Sequence, residues 1–169
     1  VGKKSCFDFN VGEKVVYPGY GIGEVLKIEK TNLQGKVEIV LIVSFSDTEN
    51  VSTVTIPETS VQSIGLRKPS SKITVGKAIN FLKAGEPELF GTWKDRFTAH
   101  TNMVANGDLL SIAKVLKALH IQNKRKPLSF REKKLYQKCL LLMSSEVAFV
   151  KGIDRQSVEA SIISTLDGK

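Results

Sequence analysis

The sequence predicts an α+β chain: a small, strongly bent antiparallel β-barrel followed by an all-α helical bundle. Three observations carry that expectation. Between Phe9 and Ile64 the chain is rich in Val, Ile and Thr, and polarity alternates along many stretches, as in half-buried strands. After RKPSSK (67–72) the apolar residues recur at helical spacing instead. The charge changes with the period: residues 1–66 hold six Lys/Arg against eight Asp/Glu, and residues 67–169 hold nineteen against nine.

The strands come in order as GEKVVYP (12–18), GIGEVLKIEKT (21–31), KVEIVLIVSF (36–45) and ENVSTVTIP (49–57). Turn-forming residues separate them at 18–21, 32–35 and 46–50. Several short strands at this spacing suggest the Tudor/SH3 type of barrel. GYGIG (19–23) invites a nucleotide-binding reading, but it lacks the G-x-G-x-x-G spacing. A β-branched strand follows it, with no helix N-terminus to hold a phosphate, so its glycines are expected to turn the chain.

RKPSSK (67–72) reads as a linker, which divides the chain into domains 1–66 and 73–169. A short helix is expected over Ile73–Leu82, ending near Ala84-Gly85. Thr92 is placed to cap a helix through about Val104, closed by Asn106-Gly107. Asp108 caps DLLSIAKVLKALHI, where Leu109, Ile112, Ala113, Leu116 and Leu119 line one face and Lys114 and Lys117 turn away from it. Ser129 and Glu132 form a capping box. In the helix they open, Leu135, Cys139, Leu140, Leu142, Met143 and Val147 share one arc, with Lys133, Lys134, Gln137 and Lys138 opposite. A last helix, about Arg155–Leu166, follows Gly152 and an Asp154 cap.

Little here suggests catalysis. His100 and His120 fall in different helices without metal-motif spacing, His100 as a polar contact near Trp93 and His120 as a helix-end residue. There is no GxSxG, HExxH or P-loop, so neither enzyme activity nor a cofactor is expected. Cys6 and Cys139 lie far apart without a CxxC, which argues against a disulfide framework or zinc site and for a reducing, cytoplasmic compartment. No apolar run approaches the ~18 residues of a membrane span, and VGKKSCFDFN has no segment of signal-peptide length.

The positive half suits a nucleic acid. KRKPLSFREKKLYQK (124–138) holds seven Lys/Arg and one acid. Lys124, Arg125 and Lys126 are expected in a loop, with Arg131, Lys134 and Lys138 along one side of the following helix; flexible cations so placed meet phosphates. A merely solvated basic face is the alternative. Trp93, the only tryptophan, opens a helix between Thr92 and Lys94-Asp95-Arg96. It either anchors a core with its indole N–H bonded, or stacks on a base with Lys94 and Arg96 on the adjacent phosphates.

Longer stretches resemble the CarD family of bacterial transcription regulators. They are F-x-V-G-E-K-V-V-Y-P-G-Y-G-I-G (Phe9 to Gly23), I-P-E (56–58), W-K-D-R-F (93–97), N-G-D-L-L-S-I-A-K-V-L-K-A-L (106–119) and L-S-F-R-E-K-K-L (128–135). The resemblance spans roughly residues 7–150. V-Y-P-x-x-G is shared with the polymerase-binding domain of transcription-repair coupling factors; the basic helical half with Trp93 is the CarD-like part.

The resemblance implies a two-domain, non-enzymatic, monomeric regulator of bacterial cytoplasm and nucleoid. Its Tudor-like domain would pair a sheet edge with the lobe of the RNA polymerase β subunit, involving Thr31, Thr55, Ile56 and Pro57. Its helical domain would meet promoter DNA at the upstream edge of the bubble, with little sequence preference. Trp93 would wedge into the minor groove and stabilise the open complex, with Lys94, Arg96 and the basic residues at 124–138 on the backbone. Asp95 stands where the family often has a basic residue, and Thr31 and Thr55 stand where it has arginines. A protein-interaction adaptor, with Trp93 in the core and no DNA wedge, is the alternative.

Overall fold

The computed structural model describes residues 8–46, 51–88 and 91–168. Cys6 and the turn at 47–50 lie outside the described residues. The chain divides into two compact units, Val1–Pro69 and Ser70–Lys169.

The first unit is a four-stranded antiparallel sheet in the order β1-β2-β3-β4, curled into a Tudor-like half-barrel. Its strands are β1 (Lys14–Tyr17), β2 (Gly21–Leu33), β3 (Lys36–Ser46) and β4 (Val51–Pro57). Alternation decides which residues turn inward: Val15, Val25, Leu41, Val43 and Ile56 are buried together with Phe9, Phe45 and Leu66. The β2–β3 register skips between Val25 and Lys27, a bulge that leaves Leu26 exposed and bends the strand.

The glycines of GYGIG have two separate jobs. Gly19 and Gly21 take φ of 82° and 95°, which lets the chain reverse between β1 and β2. Gly23 makes room, since a Cβ there would lie 2.6 Å from Val43 Cγ1 and 2.7 Å from Phe45 Cε1. The sheet gives way to a 3-10 turn (Glu58–Ser60) and a single helical turn, α1 (Val61–Ile64), inside the stretch read as strand-like. Gly65 ends it in the left-handed conformation at φ 78°.

The two units divide inside the segment 67–72, which has defined structure on both sides of the division. Arg67 is bridged to Val16 by N–H···O bonds of 2.7 and 3.1 Å, and Lys72 is already the first residue of α2. Ser71 caps α2, and the Ser70 N–H donates to the buried Glu146 carboxylate at 2.9 Å.

Among the described residues the second unit holds five helices: α2 (Lys72–Ala84), α3 (Trp93–Ala105), α4 (Leu109–Arg125), α5 (Phe130–Lys151) and α6 (Arg155–Asp167). Each starts at a Ser, Thr or Asp whose side chain accepts the amide three residues on, satisfying a donor the helix cannot. α4 packs on α2, α3 and α5, and α5 also carries α6. Leu82, Leu109, Leu116, Leu119, Met143 and Ile162 are fully buried between them, each contributing about 1.5–3 kcal/mol by leaving water. Cys139 is in this core, where burial pushes its thiol up to about 12 and makes it unreactive.

Two expectations about α4 change. Lys117 does not turn away to water: its ammonium donates to the Phe81 carbonyl at the end of α2, at 3.2 Å. The helix also continues to Arg125, so Lys124 and Arg125 form its last turn and Lys126 its C-cap. Cations are favoured at that end by the helix dipole, and Pro127 stops the helix by excluding αR from the residue before it.

Candidate nucleic-acid interface

The site begins where α3 begins. Thr92 accepts the Asp95 N–H at 3.3 Å and donates its hydroxyl to the Asp95 carboxylate at 2.6 Å. Asp95, out of place in a basic surface, is therefore a capping residue at the positive end of a helix. Trp93 is the first helical residue and stays 44% exposed. Its ring stacks on Phe97, one turn along, and Lys94 beside it is exposed.

Beneath this first turn lies Glu132, a carboxylate only 3% exposed, in the first turn of α5. Its Oε2 accepts from the Ser129 N–H (2.9 Å) and hydroxyl (2.7 Å), which is the capping box. Its Oε1 accepts from Gln122 Nε2 of α4 at 2.8 Å and faces Arg96 Nη2 of α3 at 3.9 Å. Burial alone would raise this carboxyl, but hydrogen bonds from Ser129, Gln122 and the Trp93 side chain outweigh it and hold it below its ordinary value. Glu132 is thus ionised where three helices meet.

Arg96 belongs to this buried network rather than to the outer surface. Its side chain is 27% exposed, its Nε is buried without a hydrogen-bond partner, and it borders a cavity of about 200 Å³ with Gln122 and Arg125. Its proximity to Glu132 limits what it can offer a phosphate. His100, one turn beyond, is buried, and that burial, helped by the Arg96 charge and opposed by Glu132, holds its imidazole below its ordinary value.

The other cations separate into two sets. Arg131, Lys134 and Lys138 are exposed along one side of α5, and Lys134 lies over the exposed Phe130 ring, 4.6 Å from its centroid. Arg125 and Lys126 are exposed at the end of α4. Lys124 is exposed but pairs with Asp167 at the end of α6, at 3.2 Å. Asp167 also meets His120 Nε2 at 3.1 Å, and His120 Nδ1 lies 3.1 Å from the Tyr136 hydroxyl. His120 is therefore a tertiary contact joining α4, α5 and α6. Among the described residues no group of three or more His, Cys, Asp and Glu could hold a metal ion, and no helix is long and apolar enough to cross a membrane.

Two family models match this architecture. One described as "CarD, C-terminal domain" matches residues 77–163, and one described as "CarD-like/TRCF RID domain" matches residues 9–70. The chain belongs to the CarD family. A similar protein is "Putative transcription factor YdeB" of Bacillus subtilis (strain 168), 24% identical over 152 residues that span 90% of this chain and 98% of that one.

The CarD C-terminal match contains Trp93, Lys94, Arg96 and the basic residues of α4 and α5 described for this site, and the first match contains Thr31, Thr55, Ile56 and Pro57. β4 pairs only with β3 among the described strands, which leaves its other edge open beside exposed Thr55 and half-buried Pro57. Ile56 is 1% exposed and its side chain belongs to the core, so only its backbone can serve an edge contact. Thr31 pairs with Glu38, past the end of β4, which stops at Val40↔Pro57.

Sequence reasoning overlooked Glu132 as anything but a cap, and overlooked Asp167. The capping-box spacing reveals a local bond, and nothing in it reveals the use of the second oxygen.

Proposed function

We propose that this CarD-family transcription regulator binds RNA polymerase through the open β4 edge and engages promoter DNA through Trp93 and the basic side of α5. In this reading residues 1–66 serve the polymerase β-subunit lobe, 67–72 connect, and 73–169 meet DNA at the upstream edge of the bubble. The observation that carries it is the half-exposed Trp93 ring at the start of α3, in the same unit as the exposed cations of α5. A ring buried in the core would have favoured the adaptor reading.

The chemistry is differential binding. Unstacking a base step costs on the order of a few kcal/mol, offset by contacts that only kinked or melted DNA can make. Cations on phosphates add a sequence-independent attraction that weakens with salt. A ligand that prefers the open state shifts the promoter toward it, however weakly it holds closed duplex. Strand addition at β4 would take affinity from main-chain groups, so Thr31 and Thr55 can replace arginines without losing the partner.

The test is competitor challenge of polymerase–promoter complexes with and without the protein. The complexes should survive longer when it is present. Equal lifetimes, with polymerase binding shown separately, would sink the DNA part of the reading and leave the adaptor.

A further inference from the structure

Helix caps in this chain do not need a buried carboxylate. α3, α4 and α6 are capped by Thr92, Asp108 and Asp154, all exposed. Glu132 is different: it is buried, and half of its acceptor capacity points away from its own helix. Oε2 completes the cap of α5, whereas Oε1 receives Gln122 from α4 and faces Arg96 from α3. Removing a carboxylate from water is costly unless its lone pairs are filled; here Ser129 and Gln122 fill them, and the Arg96 charge from a third helix faces the same group.

Resting on the reading of Trp93 as the DNA-contacting wedge, we propose that Glu132 is its positioning residue: one oxygen caps α5 while the other fixes the first turn of α3, and with it the indole, against α4 and α5. Arg96 is then part of the mount, which explains why it lies inside the surface and not on it. The wedge meets DNA with its ring already oriented, so less ordering is required at the moment of binding.

Glu132→Gln separates the two oxygens. Glutamine at this position can still accept from Ser129 and preserve the cap, but its other terminal atom group becomes an N–H₂ facing the donors of Gln122 and Arg96. Ser129→Ala does the reverse, removing the cap and leaving Oε1 in place. Because Trp93 is the only tryptophan, its fluorescence reports on the mount directly. Glu132→Gln should change acrylamide quenching of Trp93 by about twofold and shorten open-complex lifetime by about tenfold, the scale of a lost bond to a charged group. Ser129→Ala should lower Tm with quenching as in the parent protein.

A folded Glu132→Gln variant with parental quenching, or a Ser129→Ala variant that changes quenching as much, would overturn the assignment and leave Glu132 a cap. Should Glu132→Gln fail to fold, Arg96→Met decides: it keeps an unbranched stem and removes only the guanidinium that faces Oε1. It should change the quenching of Trp93, and parental quenching would overturn the proposal. If Trp93→Ala leaves lifetime unchanged, the wedge reading itself fails, while quenching still judges Glu132.

Discussion

Trp93 lies nearly flat on Phe97, ring centroids 5.7 Å apart and planes inclined by 10°. The pair sits at i and i+4, the spacing that brings side chains together on a helix surface. Phe97 is itself half-buried against the helical core, so one face of the indole rests on the protein. The residue is nevertheless 44% exposed, a platform with one face occupied and another available.

Trp93→Ala should therefore cost little in folding and much in DNA contact. Polymerase capture by the full chain is expected to stay within about twofold, because β4 is in the other unit. Open-complex lifetime should fall by about tenfold or more, the order set by losing compensation for an unstacked step. A competitor-challenge time course with the variant measures it.

The four residues assigned to the polymerase edge should respond unequally. Thr55→Ala is expected to change polymerase binding by less than about twofold, since strand addition relies on main-chain groups. Ile56→Ala should destabilise the first unit by about 2–5 kcal/mol by opening a cavity under the sheet. Hydrogen exchange at β3 amides checks this: faster in the Ile56 variant, unchanged in the Thr55 variant.

What could be read from sequence was what is local. Thr92, Asp108, Ser129 and Asp154 bond within three residues of themselves, so spacing alone places them as caps. Val15, Val25 and Leu41 follow from the strand period. The destinations of long side chains were not legible. Lys117 and Lys124 sit at amphipathic boundaries, and flexible stems carry their ammonium groups to Phe81 and Asp167, partners remote in sequence. Arg96 shows the same limit at the site: its position on α3 fits a phosphate contact, but a buried carboxylate from another helix draws it inward. Gly23 looked like a turn residue and is instead a clearance beneath Phe45.

His100 predicts a pH dependence. Its folded-state value is depressed, chiefly by burial. The unfolded chain therefore takes up a proton near pH 6.5 while the folded chain still resists it. Stability is full above about pH 6.5 and declines as pH falls toward the folded-state value, with a slope of at most about 1.4 kcal/mol per pH unit. Urea unfolding monitored by Trp93 between neutral and mildly acidic pH should show this slope, and His100→Gln should remove it.

The cations of the DNA face should also differ, and salt dependence is the means of seeing it. Arg131, Lys134 and Lys138 have no carboxylate partner within ion-pair distance among the described residues, so replacing any one by Ala should reduce the salt slope of DNA binding by about one. Lys124 is held by Asp167 at 3.2 Å and must leave that carboxylate before it can neutralise a phosphate. Lys124→Ala should accordingly cost less than the others. Asp167→Asn should act in the opposite direction, releasing Lys124 and removing a negative charge from its vicinity. DNA affinity at low salt is then expected to rise by about twofold to fivefold, the range of a surface ion pair. The gain should vanish in the Lys124→Ala background, and a gain that persists there would mean Asp167 repels DNA directly instead of occupying the lysine.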